Sequence, residues 1–150
     1  MSDTDVGPIE VGPFEVGPIG VGTVAEPRAF GPMTTQMFVR YSGASGDLNP
    51  MHYDDAFAKQ AGYPSVFSQG MHQAALLATF ATDWLGAENI RRFQVRFRDQ
   101  VWPGDVLTCR GTVAGIEPAA GGRLLRVALV CERQTGAAAI VGEADFLVPG

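Results

Sequence analysis

The segment from Gly70 to Leu85 constrains the fold more than any other part of the chain. Met71, Ala74, Ala75, Leu77, Ala78, Ala81 and Leu85 recur at helical spacing and leave the helix they form apolar over most of its surface. Such a helix has no broad polar face to turn to water, so other elements must cover it on several sides. The material to do so follows at once. After Gly86 the apolar period changes to two, with Phe93, Val95 and Phe97 on one face, and Trp102-Pro103-Gly104-Asp105 supplies turn chemistry. Stretches at about 106–116, 123–134 and 138–148 are rich in Val, Leu and Ile and are separated by Gly121-Gly122 and Thr135-Gly136, the pattern of an antiparallel meander. A helical half followed by a run of strands predicts an α+β domain in which an antiparallel sheet wraps one long central helix.

Upstream of that helix the elements are shorter. Met37, Phe38 and Tyr41 predict a helix from Thr34 to Ser45 with Thr34 or Thr35 as its cap. Asp54 caps a second short helix through Ala56, Phe57 and Ala58, which Gly62, Pro64 and Ser65 end. Between them lies a polar loop, Ser45-Gly46-Asp47-Leu48-Asn49-Pro50-Met51-His52. The first 22 residues differ in kind: units starting at Val6, Val11 and Val16 repeat Val-Gly-Pro followed by Ile9, Phe14 or Ile19. Proline in every unit excludes a regular helix or central strand. Residues 1–22 are therefore expected to be an extended arm, and 23–150 a single domain, in keeping with one core for a chain of 150 residues and 46% hydrophobic content.

Net charge is −5, and the basic residues are scattered apart from Arg91, Arg92, Arg96 and Arg98, so no nucleic-acid footprint is evident and a small-molecule substrate is expected. No stretch approaches the roughly 18 uninterrupted apolar residues of a spanning helix, and the N-terminus lacks the layout of a secretory signal. The expectation is a cytoplasmic protein without a membrane partner. Cys109 and Cys131 lie on predicted strands without CxxC spacing or a second-ligand cluster. They are read as buried, reduced thiols, neither metal ligands nor nucleophiles, although a disulfide between neighbouring strands stays open.

Chemistry concentrates in the polar loop. Asn49-Pro50 biases the chain toward extended and turn conformations, so Asp47 and His52 do not share a continuous helix face and must converge from a loop. A carboxylate and an imidazole sharing one water make an acid/base pair. Asn49 is placed to orient one of them by a hydrogen bond.

Ser45 to His52, with Ala58 following, resembles the signature of the (R)-specific enoyl-CoA hydratases, or hydratase 2, and of the wider MaoC-like dehydratase family. Every position of the core motif is filled. The resemblance continues through Gly62-Tyr63-Pro64-Ser65-Val66-Phe67-Ser68-Gln69-Gly70-Met71 and Phe93 to Asp105, over roughly residues 21 to 148. It implies the hot-dog fold and hydration of a trans-2-enoyl thioester to an (R)-3-hydroxyacyl thioester, or the reverse dehydration, with no cofactor. Asp47 and His52 would hold the water, Asp47 as the main base in hydration. The backbone N–H of Gly70, at the start of the long helix, would stabilise the enolate oxygen. Gln69 and Met71, flanking Gly70, would contact substrate. Relatives often carry His in place of Gln69 and Ser near Ala78, and usually have an apolar residue in place of His72; these departures bear on substrate shape.

The resemblance also implies two subunits with their sheets side by side and the acyl tunnel at their interface, as a homodimer or as a heterodimer with another MaoC-like subunit. Arg96 and Arg98 are candidates for binding coenzyme A phosphates or an acyl carrier protein, or else form a solvated strand face. Two other roles stay open: a partner subunit completing another chain's tunnel, and a thioesterase, since the same fold supports both activities.

Overall fold

The computed structural model describes residues 18–150, so the expected arm lies outside the described residues up to residue 17. Strand β1 (Arg28–Phe30) leads to helix α1 (Thr35–Ser45), a 3-10 turn (Pro50–His52), helix α2 (Asp55–Gln60) and the long helix α3 (Gly70–Leu85). A second 3-10 turn (Ala87–Asn89) and strands β2 (Ile90–Phe97), β3 (Leu107–Ala119), β4 (Gly122–Arg133) and β5 (Ala138–Val148) complete the chain. The strands form one antiparallel sheet in the order β1-β3-β4-β5-β2.

Alternation along the strands decides which face is buried. Leu107, Cys109 and Val113 of β3, Leu125, Val127, Leu129 and Cys131 of β4, and Ala144 and Phe146 of β5 share one core with Leu77, Phe80, Ala81 and Leu85 of α3. Gly111 marks the closest approach: a Cβ there would stand 3.0 Å from the Trp84 ring and 3.3 Å from that of Phe80, so a bare backbone lets α3 settle onto β3. The result is the hot-dog fold, a curved sheet around one helix. Cys109 and Cys131 face one another in register between β3 and β4 as free, buried thiols; the hydrogen bond to Cys131, together with burial, pushes the Cys109 thiol up.

α3 is covered on several sides, as its apolar pattern requires: Gln73, Ala74, Leu77, Phe80, Ala81 and Leu85 are buried, and only Met71, Ala75, Thr79 and Asp83, four residues apart, form a stripe open to solvent. One feature differs from what the sequence predicts. Strand β1 has no period of its own at three residues. It forms because β3 offers an edge, pairing Arg28 with Cys109 and Phe30 with Leu107. The chain is attached to the body even earlier, since Ile19 packs against the core and Gly22 N–H donates to the Val113 carbonyl at 2.8 Å.

Helix α1 starts as its cap predicts. Thr34 is extended and its Oγ1 accepts from the Met37 N–H at 3.2 Å. Thr34→Ala is expected to cost about 1 kcal/mol in urea unfolding, the usual loss for a hydroxyl cap; no change would mean that α1 is held by packing alone. No helix among the described residues is long and apolar enough to cross a membrane.

Candidate active site

The loop after α1 is built largely by its own short-range hydrogen bonds. Gly46 ends the helix at φ 77°, a left-handed conformation that favours glycine, and its N–H donates to the Ser42 carbonyl at 2.9 Å. The Ser45 hydroxyl donates to the Tyr41 carbonyl at 2.7 Å and accepts from Asp47 N–H at 3.2 Å. Asn49 works twice: its backbone N–H donates to Asp47 Oδ1 at 3.3 Å, and its side-chain Oδ1 accepts from Met51 N–H at 3.1 Å, capping the 3-10 turn that Pro50 opens. Tyr53 donates its hydroxyl to the Leu48 carbonyl at 2.9 Å. Most of the motif is therefore spent on holding the backbone, and two polar ends are left facing each other, Asp47 Oδ2 and His52 Nε2.

These two atoms stand 3.5 Å apart, with His52 buried and the Asp47 side chain 46% exposed. His52 is held from the opposite side: its Nδ1 lies 2.7 Å from the Phe67 carbonyl, and Phe67 N–H donates back to the Met51 carbonyl at 3.4 Å. A carbonyl only accepts, so Nδ1 carries the proton in that bond and a neutral ring presents a bare Nε2. Two acceptors then face one another at a distance too long for a direct bond. One water can donate a proton to each, and that is the chemical content of the arrangement. The Phe67 ring stands edge-on to the imidazole, at 5.3 Å and 85°, and restricts its rotation.

Gly70 is the first residue of α3, and the leading N–H groups of a helix have no partner within it. It opens on a cleft of about 210 Å³ lined by Phe67, Ser68, Phe97, Arg98 and Gln100 among others. A Cβ at Gly70 would lie 2.9 Å from the Phe97 ring. Phe67 is the link between the two parts of the site: its carbonyl holds His52, and the residue also borders the Gly70 cleft. Gly70→Ala is expected to push Phe97 aside and to reduce turnover of the enoyl thioester that the sequence resemblance implies by about 100-fold, the effect of misplacing a reacting group by about 1 Å, with kinetics on the variant as the check. Unchanged turnover would show that the close approach of Phe97 to Gly70 does not shape the site.

The remaining predicted residues fall at different places. Met71 is 59% exposed on the open stripe of α3. Gln69 is buried, and its amide points to α1 instead of the cleft, donating to the Phe38 carbonyl and Ser42 Oγ. Phe93 and Val95 pack against the core, so alternation turns Arg92 and Arg96 to the opposite face of the sheet. Arg92 approaches Glu143 and Asp145, each at 3.9 Å, whereas Arg96 lines a hollow on that outer face with Gln94, Val141 and Glu143. Arg98, beyond the strand end, borders both that hollow and the Gly70 cleft. His72 stacks on Tyr41 at 4.9 Å and sits 3.2 Å from Ser68 Oγ; burial lowers its pKa.

Phe67 and Phe97 are not among the site residues that the sequence predicts. Phe67 acts on His52 through its carbonyl, which every residue has, and Phe97 reaches Gly70 only because α3 lies against β2. No residue-type signal announces either role.

The fold defines the class: a hot-dog domain in which a carboxylate and an imidazole, Asp47 and His52, face one another from the loop after α1. A profile of the MaoC like domain matches residues 20–130, and the chain belongs to the MaoC-like dehydratase family. An R-hydratase from Pseudomonas aeruginosa superposes with a TM-score of 0.76 at 25% identity, covering 87% of this chain and 83% of that one. The ChsH1–ChsH2 complex from Mycobacterium tuberculosis superposes with a TM-score of 0.76 at 21% identity, covering 86% of this chain and 98% of that one. A fatty acid synthase beta subunit of Dothistroma septosporum is 31% identical over 114 residues, 73% of this chain. The chain spans only 6% of that relative's length, so the match concerns one domain of a far larger protein.

Proposed function

We propose that the chain is a hydro-lyase that hydrates trans-2-enoyl thioesters to (R)-3-hydroxyacyl thioesters, or runs the reverse dehydration. The observation that carries the reading is the pair of facing acceptors, Asp47 Oδ2 and His52 Nε2, with the tautomer of His52 set by the Phe67 carbonyl. In hydration, Asp47 takes a proton from the water as its oxygen bonds to Cβ, and electron density moves to the thioester oxygen. The Gly70 N–H at the positive end of α3 receives that developing charge. The enolate then collapses as the proton taken up by Asp47 is delivered to Cα, which completes the addition of water and returns the pair to its starting state. Family membership supports the reaction class, and the motif built from Ser45 to His52 supports the residues.

The thioester carrier is coenzyme A or an acyl carrier protein, and Arg98, at the rim of the Gly70 cleft, is the better placed of the two candidate arginines to meet its phosphate. Arg96 lies on the outer face and would reach a carrier only around the sheet edge. The likeness to a complex of two chains, ChsH1–ChsH2, supports assembly with a second subunit, identical or MaoC-like. Purified protein mixed with crotonyl-CoA and with a longer trans-2-enoyl-CoA should deplete the ultraviolet enoyl-thioester band. Absence of depletion at every chain length would overturn the reading of the chain as an enzyme acting alone and favour a subunit that needs a partner.

A further inference from the structure

The proposed reaction uses groups on two elements. Asp47 leaves the end of α1, and the Gly70 N–H begins α3. A substrate's carbonyl and Cβ are a fixed covalent distance apart, so water and N–H must keep a matching separation. One side chain spans the gap. Gln69 immediately precedes Gly70, and its Nε2 donates to the Phe38 carbonyl at 2.9 Å and to Ser42 Oγ at 2.8 Å, both in α1. Ser42 is also the residue whose carbonyl accepts the Gly46 N–H, the bond that closes α1 just before Asp47. A single amide thus ties the residue beside Gly70 to the turn that releases Asp47.

The burial of that amide carries a cost. Gln69 is 1% exposed, and its Oε1 has no hydrogen-bond partner among the described residues. An unpaired buried acceptor is destabilising, and an apolar residue of similar size would dock α3 on α1 without it. The Tyr41–His72 stack joins the same two helices, but stacked rings resist sliding weakly, whereas two bonds from one nitrogen set a direction.

We infer that Gln69 is a positioning residue, which acts through α1 to set Asp47 relative to the Gly70 N–H. The inference rests on the hydratase reading of the site. Gln69→Leu keeps the size and removes both bonds. Its kcat on crotonyl-CoA falls between about 10- and 100-fold with KM within about threefold, since geometry at the reacting atoms is lost while acyl binding is retained. Gln69→His, with one N–H to offer, recovers part of the loss. Thr34→Ala, which weakens α1 at its far end, keeps wild-type kcat. Retention of kcat within twofold in Gln69→Leu, or an equal loss in Thr34→Ala, overturns the inference. A second measurement is independent of turnover. In Gln69→Leu the Gly46 and Asn49 amides exchange with solvent at least about tenfold faster, relative to amides of β4, because the turn before Asp47 is no longer held. Unchanged exchange overturns the positioning role even for a wild-type protein inactive on crotonyl-CoA, an inactivity that would count against the hydratase reading alone.

Discussion

Asp47→Asn is expected to lower kcat for enoyl-thioester hydration by about 10³-fold, within the usual range for removing a general base. The change is nearly isosteric, and an amide oxygen at Oδ1 still accepts the Asn49 N–H, so the loop keeps its shape. What goes is the ability to take a proton from water. The Asp47 side chain is 46% exposed, and stability should change by no more than about 0.5 kcal/mol. KM should hold, because in the proposed reaction the carboxylate acts on the water and not on the acyl chain. Steady-state kinetics on crotonyl-CoA and a urea melt of the same preparation provide the check. A variant within threefold of wild type would dispose of Asp47 as the base, and a variant that unfolds early would show that its role is structural.

The second large effect concerns stability. Asp105 is 4% exposed, accepts from Arg133 Nε at 2.7 Å, from Gln134 Nε2 at 2.7 Å and from Trp102 N–H at 2.9 Å, and joins the loop before β3 to the end of β4. Its own carbonyl receives the Met33 N–H at 2.8 Å, which fastens the entry to α1 onto the same loop. Asp105→Ala leaves the half-buried Arg133 with Asp99 alone, at 3.0 Å. The expected cost is about 3 kcal/mol, at the lower end for breaking a buried pair, or roughly 10 °C in Tm for a chain of this size.

Acid should narrow that difference. Burial by itself would raise the Asp105 pKa, but bonds from Arg133, Trp102 and Gln134 outweigh it and hold the carboxyl below its ordinary value of 3.8. A group with a lower pKa in the folded than in the unfolded state stabilises the fold above the unfolded value, and that contribution fades as pH falls through the folded one. Wild type should therefore lose stability more steeply than Asp105→Ala below about pH 4. Parallel pH profiles in urea unfolding would show that Asp105 gains nothing from its charge.

The parts of the molecule legible in the sequence are those in which neighbours in the chain are neighbours in space. The limits of α3 at Gly70 and Leu85, the Thr34 and Asp54 caps and the three long strands all follow from periods and turn residues within a few positions. The loop from Ser45 to His52 belongs with them. Its turns close through bonds between residues two to four apart, so the residue types at that spacing already specify a loop that can bring a carboxylate and an imidazole together. The strand β1 escaped because three residues carry no pattern.

Tertiary packing supplied the rest. Which ring nitrogen of His52 faces Asp47 depends on a carbonyl 15 residues away. The amide of Gln69 faces α1 because residues 31 and 27 positions earlier lie beside it. Phe97 covers Gly70, and Arg96 points away from it, because β2 occupies the sheet edge against α3 with one face inward. A hydrogen bond or a ring contact across such separations costs chain entropy that only a whole folded core offsets, so no local stretch encodes it. Short-range chemistry brings Asp47 and His52 onto one loop; long-range packing decides how the two are aimed and what stands beside them.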